Sequence, residues 1–276
     1  MTGNDDDEPG ARDGEAPDAG PRDPAPAVSR SIRLLGMLAD AGGPLTLTEL
    51  AGGLGLAKSS TANLCLALEA TRMIERGPRG FRLGLRTAEL GGAFAAQFNQ
   101  VREFYTVCDA SPVLARELVQ VAILDGTDAL YIARHEGSRS LRIGTPLGSR
   151  LPAALSATGR ALLSRSTDAE VTALLGANVV FPAVTAHSTR DLPGLLARLA
   201  EARERGWALD AEESFAGVFG VAVPLEGWAP GDPQLAIGVG LPAAEADAAR
   251  IASVGDALRA AARELTNPFS AAVRRG

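Results

Sequence analysis

Between Lys58 and Asn63 the chain places a cation, three adjacent hydroxyls, a methyl group and a carboxamide within six residues. That set matches the groups a DNA duplex presents. Lys58 suits a phosphate or a guanine edge, and Ser59 and Ser60 suit phosphate oxygens at a helix N-terminus. Ala62 can touch a thymine methyl, and Asn63 can pair bidentately with adenine. Arg79 lies in the turn Gly77-Pro78-Arg79-Gly80, where a cation would reach the flanking backbone or the minor groove. Arg30 and Thr46, near the starts of the two preceding helices, complete the candidate DNA-contacting residues.

Other residues invite enzymatic readings, and each has a plainer one. Asp210, Glu212 and Glu213 resemble paired carboxylates for acid–base chemistry, but a solvated strand end with one ligand-facing acid accounts for them. Gly238-Val239-Gly240-Leu241-Pro242-Ala243 matches a loose dinucleotide fingerprint. Too little chain follows it for a second βαβ unit, and no acid closes a following strand. His135 and His187 fall in predicted loops 52 positions apart, with no helical partner ligand, and read as surface histidines. Cys65 and Cys108 fall in predicted helices and read as buried thiols of a reducing cytoplasm. Nucleophile-elbow, phosphate-loop and C-x-x-C patterns are absent. The expectation is a chain that is not an enzyme and uses no cofactor or metal.

The elements that must position these residues are legible from periodicity. Val28, Ile32, Leu35, Leu38 and Ala39 predict a helix over about 29–40, ended by Gly42-Gly43-Pro44. Thr46 and Glu49 form a capping box opening a short helix, about 47–53. Gly55-Leu56-Ala57 then turns into a third helix, about 58–71, with Ala57, Thr61, Leu64 and Leu68 on its inner face. Two strand-like runs, Arg72–Arg76 and Phe81–Leu83, follow. This order is that of a winged helix-turn-helix. Residues 85–118 read as mostly helical, with a break near Pro112. Strands are predicted at Val119–Leu124, Ala129–Arg134, Leu141–Ile143, Trp207–Asp210, Val218–Pro224 and Gln234–Gly240. Helices are predicted near 156–165, 168–175, 192–205 and 243–265. Locally paired strands with helices between and after them favour α+β over a doubly wound fold. The predicted domains are an acidic disordered tail (1–27), the winged helix-turn-helix (28–84), a helical linker (85–100) and a larger C-terminal domain (101–276).

Charge is distributed in the same way. The net charge of −6 resides in residues 1–27, which hold eight acids and two bases and almost no large apolar residue. Residues 28–88 are +4, a basic small domain on an acidic body, which fits a nucleic-acid contact at one end. Apolar runs fall short of the roughly 18 residues of a membrane span.

The run Gly55-Leu56-Ala57-Lys58-Ser59-Ser60-Thr61-Ala62-Asn63-Leu64, with Ile74-Glu75-Arg76 and Phe81-Arg82-Leu83-Gly84, resembles the DNA-binding domain of IclR-type transcriptional regulators. The resemblance continues through Leu124-Asp125-Gly126, Gly148-Ser149-Arg150-Leu151-Pro152, Ala157–Leu163, Arg205–Asp210, Glu213, Gly217-Val218 and Val221–Pro224, in that family's order. It implies a GAF-like effector-binding domain with an antiparallel sheet, a homodimer or dimer of dimers, and a palindromic operator. Such proteins act usually as repressors and sometimes as activators. By the same resemblance the effector is held by Leu155, Ser156, Ala157, Thr158 and Gly159, by Asp210, by Gly220, and by the last strand at Ile237, Gly238 and Gly240.

The sequence departs from the family pattern in places. Asn63 stands where arginine is usual. Gly220 replaces a common cysteine, and Gly238 and Gly240 replace small hydroxyl residues. These three losses predict a roomier, less polar pocket for an effector bulkier or less acidic than a small keto acid. The functional expectation is a cytoplasmic, effector-controlled DNA-binding repressor. The alternatives are a small-molecule-binding enzyme, or a protein–protein adaptor, carrying a winged helix.

Overall fold

A computed structural model describes residues 23–95, 97, 99–138, 145–176, 181–228 and 231–266. Most of the acidic tail and the strand expected at Leu141–Ile143 lie outside them. Two compact units divide between Gly91 and Gly92.

The first unit opens with helices α1 (Pro26–Asp40), α2 (Leu47–Leu54) and α3 (Lys58–Ala70). A hairpin of β1 (Ile74–Gly77) and β2 (Gly80–Leu83) follows. Pro26 in the first turn of α1 forgoes no helical hydrogen bond. The Thr46–Glu49 capping box forms in both directions. Gly55 ends α2 in the left-handed conformation at φ +66°, which glycine adopts without a Cβ clash. Leu34, Leu38, Leu50, Leu54, Cys65, Leu68, Ile74 and Phe81 form one core. A fully buried leucine among them contributes about 1.5–3 kcal/mol. On α3 the docked residues are Thr61, Cys65 and Leu68, with Leu64 half-buried. Ala57, expected on this face, is exposed because it precedes the helix in extended backbone.

Helix α4 (Leu85–Ala95) carries the chain across the division, and α5 (Asn99–Ala110) is the first helix wholly within the second unit. A 3-10 turn at Leu114–Arg116 follows Pro112. Then come β3 (Leu118–Asp125), β4 (Asp128–Glu136), β5 (Arg150–Pro152), α6 (Ala157–Leu163), α7 (Asp168–Leu175), α8 (Leu192–Arg205), β6 (Ala208–Ala211), β7 (Val218–Leu225), β8 (Leu235–Pro242) and α9 (Ala248–Glu264). All strands pair antiparallel in the order β5-β4-β3-β8-β7-β6. The fold is α+β, with helices on both faces of the sheet.

Alternation along the strands assigns the two faces. Val119, Val121, Val221, Val223, Ile237, Val239 and Leu241 pack with Phe104 of α5 and with Ile251, Val254 and Leu258 of α9. Small residues on the opposite face, Ala122, Ala222 and Ala236, let α6 lie close through Ala157 and Ala161. That close approach positions the cavity described below.

One sequence expectation is corrected here. His135 sits in β4, buried, with Nε2 2.9 Å from Asp109 Oδ1, and is not a surface-loop histidine. Gly238–Ala243 continues an antiparallel strand into a 3-10 turn at Ala243–Glu245, in keeping with the rejection of a dinucleotide loop there.

Candidate functional site

In the first unit, Lys58, Ser59, Ser60 and Asn63 are exposed along one side of α3 and Ala62 is half-buried beside them. Thr61, Cys65 and Leu68 on the other side lock the helix onto its neighbours. Arg79 is exposed at the hairpin tip, where Gly77 pairs with Gly80 across Pro78-Arg79. Arg30 is exposed on α1. The Thr46 hydroxyl is engaged in the capping box, accepting from Glu49 N at 3.3 Å and donating to Glu49 Oε2 at 2.7 Å. Any other contact from that hydroxyl would compete with its cap.

In the second unit, strand register brings distant residues into one row. Asp210 pairs with Gly220, Gly220 with Gly240, and Gly240 with Leu118. One step along, Gly238 pairs with Gln120. Under α6 these rows floor a cavity of about 60 Å³, walled also by Tyr131, Thr145, Leu151, Ser156, Ala157, Thr158, Ser214 and Phe215. The start of α6 is fixed locally. Ser156 caps it by accepting from Gly159 N at 3.2 Å, and the Thr158 and Tyr131 hydroxyls are 2.9 Å apart.

Asp210 is the charged group in this wall. Its side chain reaches the cavity from β6, and the residue is only 6 % exposed. Oδ1 accepts from Glu213 N at 2.7 Å and from Ser214 N at 3.3 Å. Burial pushes the carboxyl up from 3.8 to about 6, against these hydrogen bonds and the charge of Arg160. The buried Ser214 hydroxyl lacks a hydrogen bond of proper geometry, yet lies near enough to favour the Asp210 charge.

Behind this acid stands a buried ion pair. Arg160 of α6 is bidentate to Glu213, with Nη1–Oε1 at 2.7 Å and Nη2–Oε2 at 2.5 Å. Arg160 also donates to the carbonyls of Ala154 and Leu209 and to the Thr189 hydroxyl. Burial pushes the Glu213 carboxyl up, but Arg160 and Thr189 outweigh it and hold it below the usual range.

Of the residues expected to hold an effector, Ser156, Ala157, Thr158, Asp210, Gly220, Gly238 and Gly240 line the cavity. Leu155, Gly159 and Ile237 do not. Leu155 is fully buried, Gly159 lies against Ala153, and Ile237 faces the α5–α9 layer. At two of the three glycines the expected extra room is already taken up. A Cβ on Gly238 would stand 2.8 Å from Thr158 Cγ2, and one on Gly220 3.0 Å from Ala157 Cβ. Side chains of α6 occupy the space beside these two glycines. Sequence reasoning missed Gln120, Tyr131, Ser214 and Phe215. The period-2 spacing of Leu118 and Gln120 was the available signal.

Among the described residues, no helix is long and apolar enough to cross a membrane, and no group of three or more His, Cys, Asp or Glu could hold a metal ion.

Comparison with known proteins agrees with both units. Residues 27–78 match the IclR helix-turn-helix domain, and residues 109–267 match the bacterial transcriptional regulator IclR C-terminal domain. The HTH-type transcriptional repressor AllR of Salmonella paratyphi A is 30% identical over 244 residues, covering 88% of this chain and 89% of AllR. A transcriptional-regulator structure from Rhodococcus sp. RHA1 superposes with a TM-score of 0.77 at 25% identity, over 87% of this chain and 96% of that one. An IclR homolog from Microbacterium hydrocarbonoxydans, crystallised with 4-hydroxybenzoate, shares the fold with a TM-score of 0.74 at 22% identity, over 87% and 97% of the two chains. With both domain models matched in order along most of its length, this chain belongs to the IclR family of bacterial transcriptional regulators.

Proposed function

We propose that this regulator is a repressor that binds a palindromic operator as a dimer and whose grip is set by a small molecule held beneath α6. The observation that carries the reading is the exposed side of α3, anchored from behind by Thr61, Cys65 and Leu68. Two such helices in a dimer would enter successive major grooves about 34–36 Å apart. Lys58, Ser59 and Ser60 meet phosphates, Asn63 and Ala62 meet bases, and Arg79 and Arg30 meet the flanking backbone. Thr46 contributes by capping α2 and so fixing the helix that precedes the turn.

The effector occupies the cavity between Asp210 and the start of α6. The glycines at 220 and 238 keep α6 close to the sheet, which favours a compact ligand. The segment 85–118 joins the two units in sequence and carries the response. Ligand shifts the equilibrium only by its differential affinity for the two arrangements, typically about 1–3 kcal/mol. The test is a footprint on the DNA flanking the gene, with and without candidate metabolites. Protection of a two-fold symmetric site that one metabolite weakens supports the reading. Protection that no metabolite alters, together with failure of any metabolite to bind, refutes effector control.

A further inference from the structure

The outward side of α3 is unlike an ordinary solvated helix face. Its exposed residues after Lys58 are Ser59, Ser60, Asn63, Leu66, Ala67 and Ala70, and none is charged. The acid of this stretch, Glu69, is half-buried, with Arg76 3.6 Å away. Solvated helix faces usually carry charges, as α8 does with exposed Arg198, Glu201 and Glu204. Leu66 is 59 % exposed, and among the described residues it is the exposed large hydrophobic side chain of the helix-turn-helix pair α2–α3. Scattered exposed leucines are common, but the position of this one is informative. At 100° per residue it lies about 20° from Ser59 and 60° from Asn63, on the same strip of helix surface. The surrounding stretch, residues 28–88, is +4, complementary to a phosphate backbone.

We propose that Leu66 is a specificity-determining residue that reads the 5-methyl group of a thymine next to the base pair met by Asn63. This rests on the DNA-binding reading above. The major-groove edge of DNA presents one apolar group, the thymine methyl. Three residues along a helix advance about 4.5 Å, close to the roughly 3.4 Å between stacked bases. An uncharged helix surface loses little solvation when the groove closes over it, and Leu66 gains by leaving water.

The test uses the full chain and a duplex selected from a randomised pool, with each half-site thymine replaced in turn by deoxyuridine. One replacement should weaken wild-type binding about four-fold, the equivalent of one buried methyl-sized group. Leu66→Ala should bind the thymine duplex at least that much more weakly and discriminate thymine from deoxyuridine less than two-fold. Leu66→Met should retain discrimination. Unchanged thermal melting separates these effects from misfolding. A selected half-site without thymine, uniform indifference to deoxyuridine, or an undiminished penalty in Leu66→Ala would overturn the proposal while leaving DNA binding intact. Absence of salt-dependent binding by the wild type would instead remove the reading on which it rests, and the proposal with it.

Discussion

Replacing Asp210 by asparagine should stabilise the second unit at neutral pH and blunt its response to effector. The carboxyl is held at about 6 in the fold, against an ordinary 3.8, and burial is the chief cause. Two units of pKa correspond to about 3 kcal/mol of destabilisation when the group is forced to ionise. A carboxyl whose pKa is raised on folding binds more protons folded than unfolded between those two values. Its contribution to stability therefore falls as pH rises from about 4 to about 6, and the full penalty persists above. Asparagine keeps an oxygen to accept from Glu213 N and Ser214 N, which now meet Oδ1. The expected gain is about 1–3 kcal/mol at pH 8, shrinking towards zero near pH 4. Glu213, lowered by Arg160, has the opposite sign: its contribution is present above about 4.5 and lost as pH falls. Subtracting the variant from the wild type cancels it. Urea unfolding followed by tryptophan fluorescence at pH 4.5, 6 and 8 gives the comparison. A variant no more stable at pH 8, or equally stabilised at all three, would refute the argument that desolvation governs Asp210.

Three further outcomes follow from named contacts. Arg160→Met should destabilise the second unit by about 3–5 kcal/mol, since it leaves the buried Glu213 charge only the half-exposed Arg198, 4.0 Å away, as a cationic partner. Adding Glu213→Gln should recover at least half of the loss in the same urea titration. Gly238→Ala should cost about 1–3 kcal/mol, because its Cβ would press on Thr158 Cγ2 and Ala222 Cβ. It should also lower effector affinity, as read by calorimetry. Asn63→Ala should relax specificity at one base pair per half-site and weaken operator binding by about 1–3 kcal/mol, with the salt dependence unchanged. Uniform weakening on every duplex would show that Asn63 does not read a base.

The helix-turn-helix was legible because its signals are local. The capping box at Thr46–Glu49 lies within four residues and forms as the sequence suggests. The strands either side of Gly126, and β7 and β8, were legible from their apolar runs. What escaped depends on partners far along the chain. Three residues, Arg150–Pro152, are too few to show alternation, and β5 exists because β4 offers an edge. His135 meets Asp109 across 26 positions, and it lies one residue beyond the strand expected to end at Arg134. Arg160 and Glu213 are 53 positions apart, and neither residue alone suggests a buried pair. The cavity wall shows the same limit most clearly. Gln120, Gly238 and Tyr131 become neighbours only through antiparallel register, with a bulge between Val121 and Ala122 setting the offset. Glycines at 220 and 238 read as missing side chains in one dimension, whereas in three they admit α6.

The Arg160 cluster also constrains how an effector in this cavity would act. It ties the carbonyl before α6 (Ala154), the strand β6 (Leu209), and Glu213, whose N–H holds Asp210. The start of α6 and the Asp210 carboxylate are thus two walls of the cavity joined by one buried guanidinium. Separating them would break charge-assisted hydrogen bonds worth roughly 1.5–3 kcal/mol each, at or above the coupling energy typical of allosteric regulators. On the proposed function, the clamped half therefore binds without moving. The change that reaches DNA must start at the walls outside the clamp. Phe215 lies in the exposed turn before β7, and Leu118 and Gln120 lie at the beginning of β3. Gln120 donates to Thr145 O at 2.6 Å, and β3 is the strand that the chain enters directly after α4, α5 and the 3-10 turn. A ligand that repositions Gln120 would alter the strand leading back towards the DNA-binding unit, while Asp210 supplies affinity without carrying the signal.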